Sequence, residues 1–401
     1  MKNLMKYASL LMAAVMLFSC QGTIDPEQGG VNPDDPTVKP TPDNPKPEDL
    51  TLKISSDRNL VQTNVDVATI TVTLGEEVIT EDVTFYDTDF NVIEIPDFKF
   101  IAKKDGDHVI WANYGTYESD EITIKAIDVP IPETPADPNP GSTDFKARVL
   151  LTEFTTVGCS ACPAMKKILH SLENDEAMAE KVLFTECHSG LVGGVADPCY
   201  IHNNAYEEWS MITGFPTVKF DLDKTLKNRD EIRTAINQLY ESKVGNAPGI
   251  AVNSSLENEQ VIAKVTIKAA VENSYRVGAF LLEDDIYAVQ TNADADYMHI
   301  HNNVIRYIDA KYKSSFYGMP VADLEPGKTA DAAFVWDLND IWASGTGNGQ
   351  AAINGGIDWP ERNNNNLHMV VFVSMPDGEG GYVVVNAIDC PINGMTPYEY
   401  R

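Results

Sequence analysis

The chain has 401 residues, with 30 basic and 60 acidic side chains and a formal net charge of −30. This length exceeds that of one ordinary domain, so we expect two to four domains of about 100–200 residues each. The acidic residues are spread along the chain rather than collected in a tail, which argues against nucleic acid and anionic lipid as partners. The composition therefore predicts a solvated acidic surface.

The N-terminal residues have the pattern of an export signal. Lys2 and Lys6 precede an apolar stretch that ends at Ser19 and Cys20. The stretch is shorter than the roughly 20 apolar residues that span a bilayer, so we expect residues 1–19 to be removed as a signal peptide. The ending resembles the lipobox of bacterial lipoproteins, which implies lipidation of Cys20. An ordinary signal cleaved nearby is the alternative.

A lipid on Cys20 would be the membrane anchor of this chain. No other segment of the sequence is apolar enough to span a bilayer. We therefore expect a lipid-anchored protein of the cell envelope, at the periplasmic or the surface face of the outer membrane. Residues 20–49 are rich in Pro, Asp, Gly and Asn and poor in large apolar residues, which predicts a disordered tether.

Residue patterning divides the rest of the chain into two β regions and one α/β region. Residues 50–129 alternate with period two, which predicts short strands in an Ig-like β-sandwich. A Pro-rich linker follows at residues 130–144. Residues 145–246 alternate strand and helix patterns, which predicts an α/β domain. Residues 247–401 return to period two and predict a C-terminal β-sandwich.

The strongest chemical signal is the motif Cys159-Ser160-Ala161-Cys162. It follows a predicted strand and opens a predicted helix over residues 165–172. The free amides and the dipole at a helix N-terminus stabilise a thiolate, so Cys159 is expected to attack as a nucleophile. Cys162 follows one turn later and is placed to resolve the mixed disulfide.

Two further segments resemble those of thioredoxins. The segment around Pro216 resembles the element whose cis proline lies against the active-site disulfide, where it would leave the preceding backbone free to pair with an extended substrate. Glu153 precedes Cys159 by six residues, at the offset where thioredoxins bury an acidic residue. Burial would raise the pKa of Glu153 and let it take the proton of Cys162. These segments predict that the α/β domain is thioredoxin-like.

Fold alone does not establish activity, and two functions fit the sequence. The first is thiol-disulfide exchange through Cys159 with the thiols or disulfides of exported proteins. The alternative is a non-enzymatic binding or adhesion lipoprotein in which Cys159 and Cys162 form a structural or vestigial disulfide. The motif favours the first function, whereas the two flanking β regions and the tether favour the second.

The remaining cysteines predict one structural bridge. Disulfides persist in exported proteins, and a Cys187–Cys199 bridge would pin residues 189–204, which are an insertion relative to a minimal thioredoxin. The alternative is that Cys187 is a third redox thiol. We expect Cys390 to be a buried thiol outside any disulfide.

The histidines do not predict a metal site. Four of them lie near these motifs: His188, His202, His299 and His301. They form no tight ligand pattern such as His-x-x-x-His, so surface or hydrogen-bonding roles are expected. The sequence therefore predicts neither a metal nor a cofactor.

Several separated motifs together resemble one known family. They occupy residues 153–163, 197–198, 214–217, 301–306, 367–373 and 386–387. From about residue 145 to the end, the chain resembles the outer-membrane protein family of twenty-eight kilodaltons found in Bacteroides-type bacteria. The resemblance implies an envelope lipoprotein with a thioredoxin-like domain and a β domain, and it implies no settled substrate. The N-terminal Ig-like region is an addition to that core.

Overall fold

The computed structural model describes residues 50–190, 192–200, 205–226, 229–309, 316–346 and 361–401. Cys20, the expected signal peptide, nearly all of the expected tether and His202 lie outside the described residues. Contacts group Thr51–Arg401 into a single unit. Within the described ranges, no helix is both long and apolar enough to cross a membrane.

The first part of the described chain forms two sheets around one core. Its strands are β1 (Leu52–Ser56), β2 (Leu60–Gln62), β3 (Ala68–Leu74), β4 (Glu77–Ile79), β5 (Val83–Tyr86), β6 (Val92–Ile93), β7 (Lys99–Phe100), β8 (Gly106–Tyr114), β9 (Tyr117–Glu118) and β10 (Ile122–Ile127). One sheet has the order β1-β3-β4, with β7 paired to β3, and the other has the order β2-β10-β8-β5-β6, with β9 paired to β8. Alternate residues of β3 are buried because strand side chains alternate between faces. The period-two pattern is thus that of a two-sheet sandwich, and its Ig-like topology stays a prediction.

The next segment alternates strands and helices. It contains β11 (Val149–Thr155), α1 (Cys162–Glu173), α2 (Glu176–Ala179), β12 (Val182–His188), α3 (Ala205–Trp209), β13 (Thr217–Phe220), β14 (Lys224–Thr225) and α4 (Ile232–Lys243). Strand β11 lies between the parallel strand β12 and the antiparallel strand β13. Helices α1, α2 and α4 cover one face of these strands, where their apolar residues pack against Val149, Leu151 and Phe220.

The remaining strands belong to three sheets. They are β15 (Gly249–Glu257), β16 (Gln260–Lys268), β17 (Asn273–Glu283), β18 (Ile286–Tyr287), β19 (Ile300–His301), β20 (Val304–Ile308), β21 (Met319–Leu324), β22 (Thr329–Asp337), β23 (Leu367–Pro376), β24 (Tyr382–Pro391) and β25 (Met395–Thr396), with α5 (Leu338–Thr346) after β22. A nine-stranded sheet has the order β14-β13-β11-β12-β20-β17-β23-β24, with β21 paired to β17. A four-stranded sheet has the order β22-β16-β15-β25, and β18 pairs with β19.

The expected fold class, an α/β thioredoxin-like domain flanked by two β-sandwiches, is wrong. The described chain is mostly β, and β11, β12 and β13 continue into the C-terminal strands through the parallel pairing of β12 with β20. The face of β11 opposite the helices buries Leu150 and Phe154 in a core shared with β15, β16 and β17. Helices α1, α2 and α4 therefore cover one face of these strands, whereas the opposite face packs against Tyr206 of α3 and against strands of the C-terminal half. Whether residues 145–246 fold independently stays a prediction.

A buried ion pair fixes α4 against the nine-stranded sheet. Lys243 Nζ lies 2.6 Å from Asp221 Oδ1, and both side chains are buried. Asp221 Oδ1 also accepts the Leu150 amide at 3.2 Å, and Lys243 Nζ donates to the Arg148 carbonyl at 3.1 Å. This pair of charges thus joins three segments: the end of α4, the turn after β13 and the start of β11.

We expect Lys243→Met to lower the free energy of unfolding by about 3–5 kcal/mol, because it leaves the Asp221 carboxylate buried without its cation. Chemical denaturation at neutral pH measures the change. Lys53→Met is the matched control, since Lys53 is exposed on β1 and its replacement should change the free energy of unfolding by less than about 0.5 kcal/mol. Equal effects of the two substitutions would contradict this role of the pair.

Candidate functional site

The cysteine motif lies between the end of β11 and the start of α1. Cys159 and Cys162 form a disulfide with their Cα atoms 5.5 Å apart, and Cys162 is the first residue of the helix. The Cys162 amide, one of the free amides of the first turn, donates to Cys159 Sγ at 3.1 Å. Cys159 is 7% exposed and Cys162 is 2% exposed. The disulfide is therefore formed and largely shielded from water.

Two segments from elsewhere in the chain hold the loop that carries Cys159. A Cβ atom on Gly158 would lie 2.1 Å from the carbonyl oxygen of Val192 in the insertion, so the close approach requires glycine. Gln290 Nε2 donates to the Cys159 carbonyl at 3.0 Å. The loop before α1 is thus packed from two sides.

The predicted Cys187–Cys199 bridge is wrong. Both residues are buried thiols, and they lie in different apolar clusters. The Asp197 carboxylate fixes the insertion instead. It accepts the amides of Val157 and Cys199, each at 2.8 Å, and its Oδ2 lies 2.8 Å from His188 Nδ1.

Two other predicted positions are found as follows. The Phe215–Pro216 peptide is cis, in the turn before β13. Cys390 is a buried thiol on β24, as predicted. Neither residue joins the charged groups described next.

Glu153 is buried on β11, and strand pairing places Glu186 of β12 directly beside it. Burial and repulsion from Glu186 raise the pKa of Glu153 to about 8. Like charges on directly opposed residues of adjacent strands are unfavourable. Against the effect of burial, Lys166 and His188 hold the pKa of Glu186 well below its usual range. Near neutral pH, Glu153 therefore keeps its proton while Glu186 is ionised.

Glu186 belongs to a largely buried charged network that the sequence patterns did not indicate. Its carboxylate lies 3.4 Å from Lys166 Nζ, 3.1 Å from His188 Nε2 and 3.3 Å from His301 Nδ1. Although burial opposes it, Asp197 and Glu186 raise the pKa of His188 to about 9. The residues come from α1, β12, the insertion and β19, so only long-range strand pairing brings them together.

A cavity of about 260 Å³ opens beside this network. The charged residues in its lining are Glu153, Lys166, Glu173 and Glu186, together with His170. It gives small solutes a route to the carboxyl groups of β11 and β12.

The N-terminal sandwich carries a second candidate site, which we call the aromatic face: Tyr86, Phe90, Val92 and Trp111. Strand pairing places Tyr86 beside both Val92 and Trp111, and the rings of Tyr86 and Trp111 stack with centroids 4.4 Å apart. Phe90 lies edge-on to Trp111 at 5.6 Å. Phe90 is 74% exposed and Val92 is 63% exposed, so this apolar patch remains in contact with water.

A hydrogen-bonded turn holds Phe90 in an uncommon backbone conformation. Its φ is 62°, in the left-handed region that bulky side chains rarely adopt. The Asp87 carboxylate accepts the amides of Asp89 and Asn91, each at 2.9 Å. An exposed aromatic ring held in a strained turn is a reason to look for a binding role. The sequence signal was Phe90 itself, a large aromatic residue within a polar turn.

The chain is similar to a family of outer membrane proteins. Residues 203–344 match the family described as outer membrane protein Omp28. The matched part is less than half of the chain and does not include Cys159 or Cys162. The match supports the predicted location at the outer membrane of the cell envelope.

Two solved structures are similar to parts of the chain. HBP35 of Porphyromonas gingivalis has a TM-score of 0.45 and 16% identity, and the alignment covers 64% of this chain and 78% of that chain. A protein from Agrobacterium tumefaciens has a TM-score of 0.37 and 13% identity, with coverage of 65% of this chain and 100% of that chain. No curated protein matches the chain. These similarities assign no activity to the residues described above.

The raised pKa of Glu153 predicts a pH-dependent stability. The pKa of Glu153 is about 8 in the folded chain and about 4.3 in an unfolded one. Its contribution to the free energy of unfolding is therefore complete below about pH 4.3 and is lost as the pH rises through about 8. Glu153→Gln removes this loss. Between about pH 5 and 9, the variant should gain stability relative to the wild type by on the order of a few kcal/mol.

Urea denaturation across this pH range measures the difference. Glu180→Gln, at an exposed position, is the matched control and should change the free energy of unfolding little. A difference between the Glu153→Gln variant and the wild type that does not change with pH would show that Glu153 has no raised pKa.

Proposed function

We propose that this chain is a non-enzymatic binding protein of the outer membrane, anchored by lipid at Cys20, whose aromatic face contacts another protein. The observation that carries the proposal is Phe90, a ring that is 74% exposed at a φ of 62°. Folding gains little from such a residue, because its apolar surface stays in water and its backbone is strained. Aromatic residues in central positions supply much of the affinity of protein interfaces.

Hydrogen bonds already order the aromatic face in the unbound protein. Trp111 Nε1 donates to the Asp87 carbonyl at 3.1 Å, and the Asp87 carboxylate fixes the turn that carries Phe90. A partner would therefore meet rings that are already ordered, and little conformational entropy would be lost on association.

The cysteine pair supports this function as a structural disulfide. Reactive cysteines lie in partly exposed positions, whereas buried ones are inert, and Cys159 and Cys162 are 7% and 2% exposed. The Gly158–Val192 contact closes the loop further. In this function, the disulfide holds the turn between β11 and α1.

The predicted anchor and the charge agree with a protein that presents its sandwich away from the membrane. The tether that composition predicts for residues 20–49, which lie outside the described residues, would give the folded part reach from a lipid at Cys20. The net charge of −30 opposes contact with anionic surfaces. An apolar patch is then the natural contact for a partner.

Site-specific photocross-linking at position 90 in the producing bacterium tests the proposal. With a photoreactive phenylalanine in place of Phe90, we expect one discrete cross-linked protein, identified by mass spectrometry. The same residue at Tyr287, which is 66% exposed on β18, is the matched control and should give no such product. With the partner identified, Phe90→Ala should weaken its binding by at least about 30-fold, as expected for an interface hot spot. Absence of a product at position 90 would refute the proposal.

A second candidate function is thiol-disulfide exchange with exported proteins. It is favoured by the position of the Cys159–Cys162 disulfide at the N-terminus of α1, a helix of 12 residues, where amides and dipole stabilise a thiolate. A substrate thiolate would attack Cys159 Sγ and release Cys162 as a thiolate. A second substrate thiol would then displace Cys159, so that the substrate is oxidised and the pair is reduced.

Exchange predicts that a dithiol peptide is oxidised on mixing with the oxidised full chain while Cys159 and Cys162 become thiols, which alkylation followed by mass spectrometry of the peptide and of the protein measures separately. Cys162→Ser should accumulate a mixed disulfide at Cys159 with an oxidised peptide, because the resolving thiol is gone. Cys390→Ser, which removes a buried thiol on β24, is the matched control and should exchange like the wild type. If Cys159 and Cys162 do not react with the peptide, exchange is refuted and the disulfide has a structural role only.

A further inference from the structure

Three metal-ligand side chains from separate segments meet inside the protein. His188 ends β12, Cys199 lies in the insertion and His301 ends β19. A ring nitrogen of each histidine and Cys199 Sγ all lie within 4.8 Å of one another. The three residues are 0%, 0% and 1% exposed, respectively. We call them the histidine–cysteine cluster.

In both histidines, one ring nitrogen is held by a hydrogen-bond partner outside the cluster, as is usual for metal ligands. Metal-binding histidines commonly donate their second ring nitrogen to a carboxylate or a backbone carbonyl. Here His188 Nδ1 lies 2.8 Å from Asp197 Oδ2, and His301 Nε2 lies 3.3 Å from the Ala288 carbonyl oxygen. The remaining nitrogens, His188 Nε2 and His301 Nδ1, converge on Glu186 Oε2 at 3.1 and 3.3 Å. A carboxylate oxygen is thus available to complete a set of nitrogen and sulfur donors.

We propose that the histidine–cysteine cluster binds one zinc ion through His188, Cys199 and His301, with Glu186 as the fourth donor. Two imidazoles, one thiolate and one carboxylate are donors that Zn²⁺ accepts, and four ligands satisfy its tetrahedral preference. The site is independent of the aromatic face and of the cysteine pair.

The surroundings of the cluster agree with a metal site. An apolar shell of Val157, Ile286, Ala288 and Val304 packs around Cys199, which lowers the local dielectric and strengthens the bonds to a cation. The cavity of about 260 Å³ reaches Glu186 from outside and provides a route for the ion.

The bound ion replaces positive charges that otherwise occupy the cluster. Lys166 Nζ lies 3.1 Å from His301 Nδ1 and 3.4 Å from Glu186 Oε1, and His188 lies between two carboxylates. Binding therefore requires that Lys166 turn away from His301 and that His188 and Cys199 each release a proton to solvent. Zinc then balances the charges of the Glu186 carboxylate and the Cys199 thiolate, and His188 keeps its contact with the Asp197 carboxylate.

Metal titration of the untagged full chain, freed of metal with a chelator, tests the proposal. Titration with Co²⁺ should give one equivalent per chain and a thiolate-to-cobalt charge-transfer band, and Zn²⁺ should displace it. Cys199→Ser should abolish the band, and His301→Gln should weaken binding by at least about 100-fold. Cys390→Ser and His108→Gln remove a thiol and an imidazole outside the cluster and should leave the titration unchanged. Binding that all four variants leave unchanged, or no saturable binding, would overturn the proposal.

X-ray absorption of the wild-type zinc complex gives a test that does not depend on folding of any variant. We expect one sulfur at about 2.3 Å and nitrogen or oxygen donors at about 2.0–2.1 Å. A shell of nitrogen and oxygen alone would exclude Cys199 as a ligand and refute the site. It would then assign the bound zinc to the acidic surface and leave the cluster as an imidazolium–carboxylate network.

Discussion

The largely buried position of the Glu186 carboxylate, whose side chain is 15% exposed at the junction of the nine-stranded sheet, is the constraint on which the rest of the structure depends. The Glu186 amide donates to the Asn303 carbonyl at 2.8 Å, and Glu186 is paired with Val304 where β12 meets β20. A buried carboxylate must be paired with cations or hydrogen-bond donors, because its burial alone is strongly unfavourable. Lys166 and His188 supply these partners from α1 and from β12 itself. The backbone of Glu186 thus joins the two halves of the sheet, and its side chain holds α1 against that junction through Lys166.

The candidate sites follow from this junction. Lys166 also donates to the Ile300 carbonyl at 2.9 Å, so α1, which begins at Cys162, is tied to the C-terminal half of the chain. His188 extends the network to Asp197, whose carboxylate organises the insertion beside the cysteine loop. Neutral Glu153 beside ionised Glu186 results first from the burial of Glu153 and then from the repulsion between two carboxyls on paired strands. The aromatic face lies on other strands and owes nothing to this network.

The α/β expectation was reasonable from the local pattern and failed for a long-range reason. Strand β11 is buried at every position from Val149 to Thr155 and opens with three apolar residues. An apolar run of this kind is typical of parallel strands covered by helices on both sides. In this protein α1, α2 and α4 cover one side, and on the other side Leu150 and Phe154 pack into a core shared mainly with strands such as β15 and β16 and with Tyr206 of α3. The residue pattern indicates which positions of a strand are buried, and it does not indicate whether a helix or a sheet packs against them.

The sequence by itself determined the local elements. These are the strands with period-two alternation in the N-terminal sandwich and the helix that begins at the cysteine motif. They also include the Cys159–Cys162 pair, whose separation of three residues suits one helical turn. These depend on side-chain periodicity and on short-range geometry, which a linear pattern contains. Only the tertiary structure decided that Cys187 and Cys199 lie in different apolar clusters, that Glu186 adjoins Glu153, and that His188, Cys199 and His301 share one interior. Pairing between strands far apart in the chain decides which of these residues meet and which stay apart, and no spacing along the sequence encodes such distances.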